Sequence, residues 1–181
     1  MRIFGMALAL VAGFSFTQVG AEELKSGPDA KIAGAFNVKA ITGEKSGETL
    51  CYVCAYGAQA RPAVVMIFTQ KADDNLATII KAVDEVQKGN TKLGTFVVGV
   101  SGVEAADLEK LQTTHKLTTP LTVAVDKDGP AKYNLNKDAA VTVVVYKKGG
   151  AVSKNFAFKD TKSAADKAAD IAAAAKAAVA E

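Results

Sequence analysis

The stretch Ala-Val-Val-Met-Ile-Phe, residues 63–68, decides the fold of this chain. It is a continuous apolar run, rich in β-branched residues, that lies between Arg61-Pro62 and a polar segment at residues 69–74. A short apolar run between such breakers is typical of a strand that is buried on both faces. We therefore predict the first strand of a central sheet at residues 63–68.

Further strands and helices are predicted on both sides of this strand from the spacing of apolar residues. The predicted strands cover residues 36–40, 96–100, 121–125, 140–146 and 151–158. Two helices are predicted to start at an N-cap formed by Asp73 or Asp74 and at a capping box formed by Ser101 and Glu104. An alanine-rich helix covers about residues 163–179. Strands that alternate with helices indicate an α/β fold in which helices cover both faces of a central sheet.

The first 21 residues have the features of a secretory signal peptide. Arg2 precedes an apolar run, and the small residues Val19 and Ala21 precede the expected cleavage point. An uncleaved anchor is the alternative, but the later part of the run is too polar for a spanning helix, which needs ~20 mostly apolar residues. We therefore expect an exported protein, periplasmic or extracellular, with no stable membrane anchor after cleavage.

The remaining chain divides into a leader and one domain. Residues 22–31 are polar, contain Gly27-Pro28 and are expected to form a flexible leader, and residues 32–181 are expected to form a single domain. The formal net charge is +3, and no basic stripe carries interleaved aromatic residues. We therefore predict no nucleic-acid partner. These patterns do not determine the oligomeric state.

Both cysteines of the chain, Cys51 and Cys54, form a C-x-x-C pair ahead of the first central strand. This spacing is that of redox-active dithiols and of half of many zinc sites. In a regular strand the two Cα atoms would lie ~10 Å apart, whereas a disulfide requires about 4.4–6.8 Å. A helical turn capped by Thr49 and ended by Gly57 would bring them close enough. Cys51 would then lie nearer the helix start as the more acidic, attacking thiol, with Cys54 as its resolving partner.

Three interpretations of the pair are open: a working redox pair, a structural disulfide, or two half-buried thiols. The apolar neighbours Leu50, Tyr52, Val53 and Tyr56 favour burial of this stretch. Burial in apolar surroundings raises the pKa of a thiol and suppresses its reactivity. The sequence therefore identifies Cys51 and Cys54 as the candidate site without deciding its reactivity.

No metal or cofactor is predicted. Zinc takes four ligands, and besides the two cysteines the chain offers one distant histidine, His115. Covalent haem attachment would need a histidine directly after Cys54, where Ala55 stands. His115 continues the apolar spacing of Leu108 and Leu111, so we expect it to have a structural or surface role rather than a catalytic one.

Four segments together resemble the redoxins, the peroxiredoxin and alkyl-hydroperoxide-reductase group of the thioredoxin fold. They are residues 36–43, 61–68, 116–129 and 140–149. The resemblance covers about residues 32–180. It implies a thioredoxin-like three-layer sandwich, with a mixed central sheet, helices on both faces and an N-terminal β extension.

The sequence departs from the redoxin pattern in two places. Catalytic members carry their reactive cysteine just after the first central strand, where this chain has residues 69–74 and no cysteine. They also have a cis-proline before the third central strand, where this chain has Ala140. The resemblance is therefore to an exported variant that lacks the usual active-site cysteine, and peroxidase activity is not expected.

Two functional hypotheses follow. The first is an exported thiol-disulfide oxidoreductase in which Cys51 and Cys54 exchange disulfides with a protein thiol partner. The second is a non-catalytic, redoxin-like binding or accessory module in which the same pair is structural.

Overall fold

The computed structural model describes residues 24–180, so the predicted signal peptide, residues 1–21, lies outside the described residues. The strands and helices in chain order are β1 (Val38–Ala40), β2 (Thr49–Leu50), α1 (Tyr52–Ala58), β3 (Ala63–Thr69), α2 (Asp74–Gly89), β4 (Gly94–Gly99), α3 (Ala105–His115), β5 (Leu121–Ala124), β6 (Val141–Lys147), β7 (Val152–Phe158), α4 (Thr161–Asp166) and α5 (Ala168–Ala180). A 3-10 turn, Ala131–Tyr133, lies between β5 and β6. No helix in this part of the chain is long and apolar enough to cross a membrane.

The strands form one mixed sheet in the order β2-β1-β5-β4-β3-β6-β7. The central strands β3, β4 and β5 run parallel, and the outer strands join them antiparallel. Met66 of β3 lies opposite Phe96 of β4 and Val144 of β6. All seven residues of β3 are buried. The prediction of a buried central strand from the apolar run at residues 63–68 is therefore confirmed.

One face of the sheet is covered by α2, α3, α4 and α5. Apolar side chains at helical spacing on α2, among them Leu76, Ile79 and Ile80, are fully buried against the sheet. Ile171 of α5 joins the same core. Full burial of such a side chain stabilises the fold by about 1.5–3 kcal/mol, so this face supplies much of the stability of the domain.

The opposite face is covered by α1, the 3-10 turn and the chain ahead of β1. Its core is rich in aromatic residues: Tyr52 and Tyr56 of α1, Phe68 of β3, Phe96 of β4 and Tyr133 of the turn pack in one cluster with aliphatic residues of the sheet. Helices thus lie on both faces of a mixed sheet, and the hairpin of β1 and β2 extends its β5 edge. The predicted three-layer α/β architecture is confirmed.

The segment for which the sequence predicts a flexible leader is packed on the domain from residue 24 onward. Ser26 is buried, its hydroxyl lies 2.6 Å from that of Thr142, and that hydroxyl accepts a hydrogen bond from the backbone N–H of Asn136. Gly27 has φ +88°, and a Cβ there would lie 3.0 Å from a Thr142 methyl carbon. The polar residues that suggest a loose segment are held by these long-range contacts, which the local sequence does not reveal.

The start of α3 also differs from prediction. Glu104 is the N-cap but makes no side-chain capping hydrogen bond, so the predicted box with Ser101 is not formed. Ser101 instead has φ +54° and lies with Gly102 in a turn directly after β4. The tight exit from β4 therefore takes Ser101 out of reach of the helix start.

Candidate redox site at a surface disulfide

Cys51 and Cys54 lie where the edge strand β2 passes into α1. Their Cα atoms are 5.3 Å apart and their sulfur atoms are bonded as a disulfide. Cys51 is the N-cap of α1, with extended backbone, and its Sγ accepts a hydrogen bond of 3.1 Å from the backbone N–H of Cys54. The pair is thus held on the first turn of a helix.

The helical turn agrees with the geometric argument from the sequence, but its boundaries do not. Thr49, the expected cap, is part of β2 and lies opposite Lys39 of β1. Gly57, the expected end, lies inside α1, which is capped by Gln59. Because strand pairing holds Thr49 in the sheet, the chain turns into the helix only at Cys51.

Cys54 faces outward because two tyrosines take the inward positions of α1. Tyr52 and Tyr56 are one helical turn apart, which places them on the same side of the helix, and both are buried. Cys54 comes two positions after Tyr52, on the opposite side. It is exposed, whereas Cys51 is partly buried. The apolar residues around the pair therefore bury the tyrosines and leave the disulfide at the surface.

Tyr52 and Tyr56 anchor α1 to the sheet independently of the disulfide. The ring of Tyr52 stacks on that of Phe96, with centroids 5.3 Å apart. The Tyr56 hydroxyl donates a hydrogen bond of 2.7 Å to the carbonyl oxygen of Thr95. Because these contacts fix α1, the two cysteines are held near each other whether or not they are bonded.

Arg61 packs on Tyr56 and links it to the residues just ahead of β4. Its guanidinium lies over the Tyr56 ring, 4.9 Å from the centroid, and donates hydrogen bonds to the carbonyl oxygens of Thr91 and Leu93. Gly94 allows this packing, because a Cβ there would lie 2.9 Å from the Tyr56 ring. The sequence predicted burial near Tyr56 but did not predict that Arg61 packs on its ring. The tyrosine spacing was the available signal for the buried side of α1.

The tyrosines beside the disulfide stay protonated over the physiological range. Burial raises the pKa of Tyr52, and the carboxylates of Glu48 and Glu44 raise it further. Burial also raises the pKa of Tyr56 well above its ordinary value. Neither phenol therefore supplies an ionised base at the site, and the chemistry available there is that of the two sulfur atoms.

The segment after β3, where a redoxin would carry its reactive cysteine, holds structural hydrogen bonds instead. The Gln70 side-chain amide donates to the carbonyl oxygens of Lys137 and Ala139, each at 3.0 Å. Asp73 accepts from the backbone N–H of Leu76, as the predicted N-cap of α2. The described residues contain no cis peptide bond, and none therefore precedes Ala140.

His115 lies on α3, which covers the other face of the sheet from α1. Its Nε2 is 2.8 Å from Asp74 Oδ1, and its Nδ1 is 3.2 Å from Lys81 Nζ, so it joins α3 to α2. Within residues 24–180, no group of three or more His, Cys, Asp or Glu side chains is arranged to hold a metal ion. The structure thus does not bring His115 together with the two cysteines.

Comparison with solved structures, rather than with sequences, shows which fold the chain has. Neither a protein-family model nor a curated protein sequence matches the chain. Among solved structures, a secreted thiol-disulfide isomerase from Corynebacterium glutamicum matches with a TM-score of 0.60 and 12% identity, over 93% of this chain and 99% of that chain. A secreted disulfide oxidoreductase from Mycobacterium tuberculosis matches with a TM-score of 0.55 and 15% identity, over 77% and 95% of the two chains.

A peroxidoxin from Mycobacterium tuberculosis is a third structural neighbour, with a TM-score of 0.52 and 16% identity, over 84% of this chain and 98% of that chain. The chain has a thioredoxin-type fold. Within this thioredoxin-type frame, the cysteine pair lies on α1, ahead of β3. At these identities the likeness establishes the fold alone.

Proposed function

We propose that Cys51 and Cys54 are a redox pair that exchanges disulfides with a protein partner, so that the protein is an exported thiol-disulfide oxidoreductase. The observation that carries the proposal is that a bonded C-x-x-C pair lies at the surface with Cys54 exposed. Exchange requires an incoming thiolate to reach a disulfide sulfur, so access is its first requirement. This site meets that requirement.

Export is the second part of the proposal. Residues 1–21 carry the pattern of a signal peptide, and two of the structural neighbours are described as secreted. Oxidising compartments outside the cytoplasm are where protein disulfides form and persist. A surface disulfide as the working form of the site is consistent with such a compartment.

Peroxidase activity is not part of the proposal. Residues 69–74 contain no cysteine, and Gln70 in this segment is occupied with hydrogen bonds to the loop before β6. The peroxidoxin among the structural neighbours therefore resembles this chain in fold only. The segment after β3 contains no thiol that could reduce a peroxide.

The alternative is an accessory module in which the disulfide only stabilises the fold. The bond closes a very short loop, with a sequence separation of 3, and the chain-entropy model gives only about 2 kcal/mol for so short a loop. Tyr52 and Tyr56 already hold α1 on the sheet. Because the bond adds little to a helix that is anchored without it, the exposed pair is better explained by exchange chemistry.

The experiment is a redox titration of the mature protein in glutathione or dithiothreitol buffers. We expect a reduction potential between about −270 and −120 mV, the range of known dithiol oxidoreductases, and reduction of insulin disulfides by the dithiol form. The variant Cys51→Ser should lose the insulin activity. A potential below about −300 mV, typical of structural disulfides, would favour the accessory module instead.

A further inference from the structure

The two sulfur atoms of the disulfide have different surroundings. Cys54 lies on the outward side of α1 and is exposed. Cys51 is partly buried at the junction of β2 and α1, and its Sγ accepts the backbone N–H of Cys54. An asymmetric disulfide of this kind presents two unequal targets to an incoming thiol.

We propose that the partner thiolate attacks Sγ of Cys54 and that Cys51 is the leaving group, so that the mixed disulfide forms on Cys54. This inference rests on the proposed function and specifies how the site performs it. It reverses the order expected from the sequence, in which the cysteine nearer the helix start is the attacking thiol. The substrate class is an accessible cysteine thiol on the surface of a protein partner.

Access favours Cys54 as the attacked sulfur. The attacking thiolate must approach on the far side of the bond that it breaks. Cys54 is exposed on the outward side of α1, whereas Cys51 is partly buried and directly follows the partly buried Leu50 of the edge strand β2. The room for such an approach is therefore greater at Cys54, and the difference matters more for a partner protein, which is bulkier than a free thiol.

The stability of the thiolate that is released also favours attack on Cys54, with Cys51 as the leaving group. A thiol whose thiolate form is stabilised by hydrogen bonding has a lower pKa and leaves faster. The backbone N–H of Cys54 lies 3.1 Å from Cys51 Sγ and belongs to a helix that Tyr52 and Tyr56 hold in place. That donor therefore remains in position as negative charge develops on Cys51.

The complete exchange transfers two electrons from a partner dithiol to the Cys51–Cys54 disulfide in two steps. The first partner thiolate forms an S–S bond to Cys54 while the Cys51–Cys54 bond breaks and its electron pair goes to Cys51. A second thiolate of the partner then attacks the partner sulfur of the mixed disulfide and releases Cys54 as a thiolate. The partner dithiol is oxidised by two electrons, and the protein takes up both electrons as the Cys51 and Cys54 thiolates.

The test maps the first adduct on the oxidised, wild-type mature protein. A short cysteine-containing peptide is the probe, and samples are quenched early in the reaction with excess iodoacetamide, which alkylates the released cysteine. Fragment-ion mass spectrometry of the fragment that carries both cysteines then locates the peptide and the alkyl group. We expect the peptide on Cys54 and the alkyl group on Cys51, in about tenfold excess over the reverse arrangement.

Two matched variants make the result decisive. Cys51→Ser and Cys54→Ser both lack the disulfide, and each is converted into its peptide mixed disulfide to serve as a mass standard for one of the two adducts. A peptide found mainly on Cys51, or equally on both residues, overturns the assignment while leaving disulfide exchange intact. No adduct on either residue, with both standards detected, overturns the assignment together with the proposed function.

Discussion

The Tyr56 hydroxyl donates a hydrogen bond of 2.7 Å to the carbonyl oxygen of Thr95 and thereby ties the helix that carries Cys54 to the central strand β4. Thr95 is buried, and Tyr56 also packs edge-on against Phe96 at 6.1 Å. A residue on α1 is thus linked to a strand about forty positions further along the chain. This link makes the geometry of the cysteine pair a property of the tertiary structure.

The variant Tyr56→Phe should loosen α1 without removing its ring contacts. The buried Thr95 carbonyl loses one hydrogen-bond donor, which should lower the free energy of unfolding by about 1 kcal/mol. Because the two thiols are then held together less firmly, the reduction potential should rise by up to about 20 mV. Urea unfolding and a glutathione titration measure the two effects.

Tyr52→Phe is the matched control for that variant. The Tyr52 ring stacks on Phe96, but its hydroxyl has no hydrogen-bond partner within the described part of the chain. Removal of this hydroxyl should leave both stability and potential close to wild type. Equal effects of the two substitutions would show that the Tyr56–Thr95 hydrogen bond does not position the site.

Reduction of the disulfide should leave the domain folded. Closure of so short a loop contributes about 2 kcal/mol at most in the chain-entropy model, and the tyrosine contacts of α1 do not involve the sulfur atoms. Urea unfolding with and without a phosphine reductant should show a cooperative transition in both states and a shift of that size. Loss of the transition in the reductant would instead indicate a bond that the fold requires.

Asp84 should be among the most sensitive polar positions of the domain. Its carboxylate is buried and accepts hydrogen bonds from the backbone N–H groups of Thr118 and Thr119 and from the Thr119 hydroxyl. Asp84→Ala leaves the two backbone N–H groups unpaired, while the Thr119 hydroxyl keeps the Thr95 hydroxyl as a partner at 3.0 Å. Hydrogen bonds to a charged group are worth about 1.5–3 kcal/mol each. We expect a loss of at least about 2 kcal/mol in urea unfolding.

The neighbouring carboxylate provides the control for Asp84. Glu85 pairs with Lys88 at 2.6 Å, and both side chains are mostly exposed. Exposed pairs of this kind contribute about 0–1 kcal/mol, so Glu85→Gln should have little effect. Comparable losses for the two variants would contradict the anchoring role assigned to Asp84.

Stability should fall at alkaline pH, in part through Tyr133. Burial raises the pKa of Tyr133 to about 12, whereas the unfolded chain titrates at about 10. The unfolded state therefore loses its proton first, so the stabilisation is complete below about pH 10 and is lost as the pH rises towards 12. The slope of the free energy of unfolding against pH, measured from pH 9 to 11, should be shallower in Tyr133→Phe. An unchanged slope would exclude Tyr133 as a contributor.

Strands and helices were predictable from the sequence where the spacing of apolar residues within the segment itself determines which side is buried. The run at residues 63–68 is short, has no polar face and is rich in β-branched residues, which predicts a strand buried on both sides, and β3 is that strand. Helical spacing likewise predicted the buried side of α2, including Leu76 and Ile79. The predicted capping box is not formed because Ser101 lies in the turn that follows β4. The segment around Ser26, predicted to be loose, is packed because Ser26 contacts Thr142, far along the chain.

The sequence by itself determined the α/β class and the identity of the candidate pair, because apolar periodicity and the C-x-x-C spacing are local properties. Its apolar residues on both sides of the cysteines favoured burial of the whole stretch, whereas Cys54 is exposed and Cys51 only partly buried. Only the tertiary structure decided this. The docking of α1 on Phe96 and Thr95 selects which side of the helix is buried. The tyrosines take that side, and Cys54 is left in contact with solvent.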